Sequence, residues 1–225
     1  MRPNLLNPLG PKLWLASRSP RRAELLALVG AHFETAPVDV DEHPLPAERP
    51  DAHVLRLAET KARASRAGRE ASGAALPAAD ADGGGPGDET AEVYVGADTV
   101  VVIDRAILGK PADPADAVRM LGLLSGRIHE VWTGLFVLDP RAERGLGEAV
   151  RSIVKFTPIA WPDIERYVAT GEPLDKAGAY AVQGGGALFV EAIEGSYTNV
   201  VGLPLSHLKH LLGLLREAPA RQPEL

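Results

Sequence analysis

Leu13-Trp14-Leu15-Ala16-Ser17-Arg18-Ser19-Pro20-Arg21-Arg22-Ala23-Glu24-Leu25-Leu26 changes its period in the middle. A short apolar run breaks at Ser17, and Leu25, Leu26, Leu28 and Val29 then recur at helical spacing as far as Gly30. The segment reads as strand, turn and helix, with Ser19 at the N-cap and Pro20 in the first helical position, where a missing N–H costs nothing. Elements that alternate in this way along the rest of the chain, with no repeat period, predict an α/β or mixed α+β class.

Residues 37–50 are Pro-rich, after which Val54, Leu55, Ala58 and Ala62 predict a second helix to about Arg66 that carries Lys61. Residues 68–92 are Ala, Gly, Asp and Pro with little to bury, and read as an exposed, mobile insertion. Residues 93–104 read as a buried strand and 107–111 as a turn. Asp113, Pro114 and Asp116 start a helix whose apolar face is Ala117, Met120, Leu121 and Leu124 and which Gly126 ends. Residues 129–139 and 151–160 read as strands, joined by a polar connection with Pro140, Gly145 and Gly147. Pro162 opens a short helix that stops near Gly171, two short strands at 180–183 and 187–193 flank Gly184, Gly185 and Gly186, and a leucine stripe from Leu203 to Leu215 marks the last helix. The division expected is an extension over 1–12, one domain over 13–216, and a frayed tail over 217–225.

The 225 residues are 45% hydrophobic, enough for one core. Cysteine is absent, which excludes disulfides, thiolate metal sites and cysteine nucleophiles. A net charge of -6 argues against a nucleic-acid-coating surface, so an anionic ligand needs a local basic pocket. No run approaches the roughly 20 apolar residues of a membrane span, and the first residues lack a secretory signal, so a soluble cytoplasmic protein is expected.

Arg21 and Arg22 fall in the first turn of a helix, where the macrodipole favours acids. They are either solvated surface arginines or, with the free amides of that turn, grip an anion such as phosphate. Asp98 interrupts an apolar strand: it is either structural, bonded to backbone amides, or stands at a site edge to bind a divalent cation or activate water. Lys61 and Lys110 taken singly read as ordinary surface charge, and the three glycines as a flexible hairpin. His129 within a strand reads as a packing or hydrogen-bonding residue. No GxxxxGK[ST], GxGxxG, HExxH or GxSxG pattern occurs.

The order of several motifs resembles the Maf family of house-cleaning nucleotide pyrophosphatases. Ser17-Arg18-Ser19-Pro20-Arg21-Arg22 matches its opening signature, followed by Glu59-Thr60-Lys61-Ala62, Gly96-Ala97-Asp98-Thr99, Gly109-Lys110-Pro111, Leu124-Ser125-Gly126 and Trp132-Thr133-Gly134. Asp175-Lys176-Ala177-Gly178-Ala179-Tyr180-Ala181-Val182-Gln183-Gly184 and the run from Ile193 to Pro204 resemble the branch that acts on dTTP and UTP. The likeness spans residues 13–205.

The resemblance implies an inosine-triphosphate-pyrophosphatase-like fold, a mixed twisted sheet flanked by helices with two lobes around a central cleft, and a homodimer. It implies hydrolysis of a nucleoside triphosphate to the monophosphate and pyrophosphate. Asp98 takes the general-base position beside Mg²⁺ or Mn²⁺, and Lys61 and Lys110 add positive charge. Arg21 and Arg22 contact the triphosphate, with Ser17 lining the same loop. Thr99 and Gln183 match positions tied to substrate discrimination. Glu42 matches an acidic position in the loop after the first helix, with Asp39 and Asp41 as competitors. Two departures stand out: the long segment over 68–92, and Arg18, which either adds a phosphate contact or points to solvent. The rival readings are a pyrophosphatase for ITP, XTP or methylated GTP, and a non-enzymatic regulator of cell division.

Overall fold

A computed structural model of the protein describes residues 4–6, 11–73, 92–141 and 143–217. Its elements run β1 (Lys12–Leu15), α1 (Pro20–Leu28), β2 (Phe33–Thr35), α2 (Pro50–Ala71), β3 (Glu92–Ile103), β4 (Ala106–Leu108), α3 (Pro114–Leu124), β5 (Ile128–Asp139), β6 (Arg144–Phe156), α4 (Trp161–Ala169), β7 (Val190–Glu194), α5 (Tyr197–Val201) and α6 (Leu205–Glu217), with three 3₁₀ turns between α4 and β7. The seven strands form one sheet in the order β2-β1-β3-β5-β6-β7, with β4 on β3. β1 is parallel to β2 and to β3, and every other pairing is antiparallel. This is the mixed sheet with flanking helices that the resemblance implies.

Strand parity separates the two faces. Trp14, Tyr94, Phe136 and Leu138 pack with Ala58 and Ala62 of α2, and Val100 and Val102 pack with Val54 of the same helix. The fit is close: a Cβ on Gly96 would lie 1.9 Å from the Ala58 carbonyl oxygen, and one on Gly134 would lie 2.0 Å from that of Val54. The other face carries two cores. Leu13, Leu15, Val93, Val95, Leu135 and Val137 meet α1 and α6, whereas Val101, Ile103, Val131, Val154 and Phe156 meet α3 and α4. Between them Thr99 pairs across the ladder with Thr133, and Asn199 and Ser152 continue the polar band. The two lobes are these two cores, and the band of hydroxyls and amides is their boundary.

Several local expectations are corrected. α2 runs through Gly68 to Ala71 because nothing lies within 4 Å of that exposed glycine and the helix continues past it at little cost. Ser72 and Gly73 form a turn, Glu92 is already strand, and residues 74–91 of the 68–92 expectation lie outside the described residues. The turn expected at 107–111 is confined to 109–111, since Ile107 and Leu108 belong to β4, paired with β3 through Val101–Leu108 and Val102–Ile107. The polar connection at 140–150 is mostly β6, since Gly145 and Gly147 face the Phe136 ring, which takes the space their side chains would need. Residues 180–183 form no strand: Tyr180 and Ala181 are buried in a loop, and 185–189 is a 3₁₀ turn. β2 and α5 had no distinct signal of their own. As expected, Asp113 caps α3, its carboxylate accepting the Asp116 N–H at 2.8 Å.

Candidate active site

The candidate residues gather where β3 lacks a partner. β1 pairs with β3 as far as Val95, and the Ala16 N–H still reaches the Val95 carbonyl at 2.9 Å, but β4 joins the same edge only at Val101. Residues 96–100 are left open on that side. The loop after β1 turns away there and starts α1 at Pro20, with Ser19 as an N-cap whose side chain makes no cap bond and with no acid in the first turn. The amides of that turn are therefore not neutralised by the chain itself.

Arg22 reaches back from α1 and closes the gap. Its guanidinium donates to the Gly202 carbonyl at 2.7 Å, the Ser17 hydroxyl and Ala97 carbonyl at 2.9 Å, and the Thr99 hydroxyl at 3.0 Å. Burial depresses its pKa, opposed by the charges of Asp98 and Glu42. Arg21, half-buried, forms no such set of bonds; burial lowers its pKa too, against the fields of Asp175 and Glu172. The two arginines read as a pair in the sequence thus occupy different layers. Arg22 is woven into the protein, whereas Arg21 lies in the fields of Asp175 and Glu172 without a bonded partner among the candidate residues.

On the α2 side, Lys61 Nζ lies 2.6 Å from Asp98 Oδ1 and 2.5 Å from Glu42 Oε1, and Lys110 approaches Glu42 at 3.6 Å. Desolvation works to raise the Glu42 pKa, but the hydrogen bond and charge of Lys61, helped by Lys110, hold it below the usual carboxylate range. Asp39 instead makes two bonds to Arg18, at 2.5 and 2.8 Å, on the exposed surface, and Asp41 bonds His43. Of the three acids in this loop, Glu42 is the one that meets Lys61, and Arg18 is paired away from the cleft.

Gln183 is exposed in the turn before the glycines and makes no hydrogen bond to the other candidate residues. The glycines themselves are anchored rather than flexible. Glu172 accepts the Tyr167 hydroxyl at 2.7 Å and the Gly185 N–H at 3.1 Å, and these bonds outweigh the desolvation that would raise its pKa. Sequence reading missed Glu172, Thr133 and Asn199. Thr133 and Asn199 stand in the Trp132–Gly134 and Ile193–Pro204 stretches that carry the resemblance, which gave them no individual role; Glu172 carried no signal.

A groove of about 380 Å³ lies elsewhere, beyond the N-terminus of α2, between Trp132, Ile128 and Val102. Most of its charges are already paired, Arg49 with Asp51, Arg151 with Glu130 and Asp104 with Arg127, which leaves Arg105. It offers a polyanion no unpaired cluster, so the open edge of β3 is the better site. Among the described residues no group of three or more acidic or His side chains surrounds one point. Asp98 and Glu42 alone still suit Mg²⁺ or Mn²⁺, which commonly takes one or two carboxylates and fills its shell with phosphate oxygens and water.

A mixed α/β sheet whose open central edge gathers an acid pair, two lysines, an arginine and a helix N-terminus defines a protein built to hold an anionic ligand beside a carboxylate. The chain belongs to the Maf-like proteins, whose family model matches residues 12–215. It is 47% identical over 203 residues to a dTTP/UTP pyrophosphatase of Citrifermentans bemidjiense, covering 89% of this chain and 94% of the relative. Proteins of the same name from Moorella thermoacetica, 48% identical over 90% of this chain and 94% of theirs, and Burkholderia pseudomallei, 47% identical over 91% and 94%, are similarly close.

Proposed function

We propose that this protein is a nucleoside triphosphate pyrophosphatase acting on dTTP and UTP. The observation that carries the reading is the Asp98–Lys61–Glu42 cluster at the open edge of β3, in a chain almost half identical to proteins of that name. Water adds to the α-phosphorus, the bond to the bridging oxygen breaks, and the nucleoside monophosphate and pyrophosphate leave. Asp98 takes the proton of the attacking water. Arg21, Lys110 and the first-turn amides of α1 receive the phosphates, while Arg22 and Ser17 hold the loop in place. Lys61 keeps Asp98 and Glu42 aimed at one point. Asp98 and Glu42 would hold Mg²⁺ or Mn²⁺, which when bound neutralises charge gathering on the phosphoryl oxygens. Thr99 and Gln183 meet the nucleoside. Cytoplasmic residence and a homodimer belong to the same reading and rest on the family likeness.

The test is pyrophosphate release from dTTP, UTP, CTP, ITP and methylated GTP with each metal, beside Asp98→Asn. Hydrolysis of dTTP and UTP that is lost in the variant is expected. Hydrolysis of ITP or methylated GTP alone would move the protein to another branch, and no hydrolysis at all would leave the division-regulator reading.

A further inference from the structure

The hydrogen atoms along the polar boundary can be assigned one by one. A threonine hydroxyl has one proton and two lone pairs. Thr133, fully buried, stands 3.0 Å from the Asn199 carbonyl oxygen, which can only accept, so the Thr133 proton is committed there. Its 2.9 Å contact with Thr99 must then be donated by Thr99. The Arg22 guanidinium, which can only donate, fills one lone pair of the Thr99 oxygen at 3.0 Å. The chain runs in a single direction, from Arg22 through Thr99 and Thr133 to the Asn199 carbonyl, with a cation at its head to polarise it. Gly202, which caps α5, keeps the space beside it clear: a Cβ there would lie 3.3 Å from the Thr99 oxygen. Thr99 has one lone pair left and no proton.

We propose that Thr133 is a positioning residue for base selection, fixing Thr99 as a pure hydrogen-bond acceptor toward the cleft. The inference rests on the nucleotide reading above and deepens it. Once glycosylated, uracil and thymine carry one N–H, at N3, and that is the group an acceptor-only Thr99 takes. Cytosine presents a bare acceptor at the same atom and meets lone pair against lone pair. Specificity for the imide bases thus begins one residue behind the surface that touches them, at a side chain with no access to substrate.

The experiment compares kcat/KM for UTP and CTP, which share sugar and phosphates, in the wild type, Thr133→Val and Thr133→Ser. Valine keeps the shape and removes the acceptor for the Thr99 proton, which is then free to turn toward the cleft. The UTP-to-CTP ratio should fall about tenfold or more, the scale of one misdirected hydrogen bond, while serine keeps it within about twofold of wild type. If valine slows both nucleotides equally and leaves the ratio unchanged, Thr133 is structural and the proposal fails. Should the valine protein not fold, Thr133→Ala is read by the same ratio. A wild type that turns over neither UTP nor dTTP overturns the nucleotide reading itself, which the ratio in an active enzyme cannot do.

Discussion

Lys61 and Asp98 come from chain segments 37 residues apart and meet as an ion pair at 2.6 Å, with side chains only 9% and 11% exposed. Breaking such a pair from one side costs about 3–5 kcal/mol, mostly because the remaining charge is stranded. Lys61→Met strands Asp98 and leaves Glu42 facing it, although Glu42, nearly half exposed, can relax toward water. Asp98→Asn leaves Lys61 its second partner. Both variants should lose pyrophosphatase turnover, but the urea midpoint should fall further for Lys61→Met. The reverse order would mean that Lys61 contributes charge to the ligand and little to the fold.

Arg21 and Arg22 should separate on conservative replacement. Lysine has no planar fork with which to serve the four acceptors that Arg22 holds, so Arg22→Lys should cost about 2 kcal/mol or more of stability and lower kcat. Arg21→Lys should leave the melting temperature within a degree or two, roughly the scale of a surface change, and raise KM. Melting curves with steady-state kinetics on both variants decide it; equal loss of stability would show that the two layers are one.

His129 supplies a pH dependence unrelated to catalysis. It is buried, with Nε2 2.9 Å from the Tyr180 hydroxyl and its ring edge-on to Phe156, and burial pushes its pKa from 6.5 to about 4. Between those values the unfolded chain binds a proton that the folded chain refuses. Stability is therefore complete above pH 6.5 and is lost as pH falls toward 4, by up to about 3 kcal/mol from this residue. Urea midpoints at pH 7.5, 6 and 5 should decline less steeply for His129→Phe than for the wild type, even though the variant starts lower for want of a partner to Tyr180. Parallel slopes would show that His129 accepts its proton in place.

What was legible in the sequence follows from how far each signal reaches. Asp113 and Pro114 announce a helix start because a cap is decided within one turn. Gly145 and Gly147 misled because glycine is a local mark of a break, whereas here it records the width of the Phe136 ring on the neighbouring strand, directly opposite Gly147 and two positions from the partner of Gly145. Tyr180 and Ala181 reported burial truthfully but not backbone shape, since a loop whose Ala181 N–H donates to the Tyr167 hydroxyl buries side chains as a strand would. In the site, Asp98 was conspicuous as an acid among valines, and the ordered motifs brought Lys61, Lys110 and Arg21 with it. That Glu42, and not Asp39 or Asp41, closes the cluster depends on the path of a loop without regular structure. The division of labour between Arg21 and Arg22 depends on which side of α1 faces Gly202, 180 residues later.

The two ends of the connection between α2 and β3 have a practical meaning. α2 ends at Ala71 beyond the contact of Arg69 with the Tyr94 hydroxyl, and β3 begins at Glu92, six residues before Asp98, about 20 Å along an extended strand. Ala71 likewise lies ten residues beyond Lys61, about 15 Å along the helix. A fluorophore or affinity handle attached at Gly73 would therefore sit well away from Lys61 and Asp98, which makes the end of this helix a place to tether the enzyme to a surface.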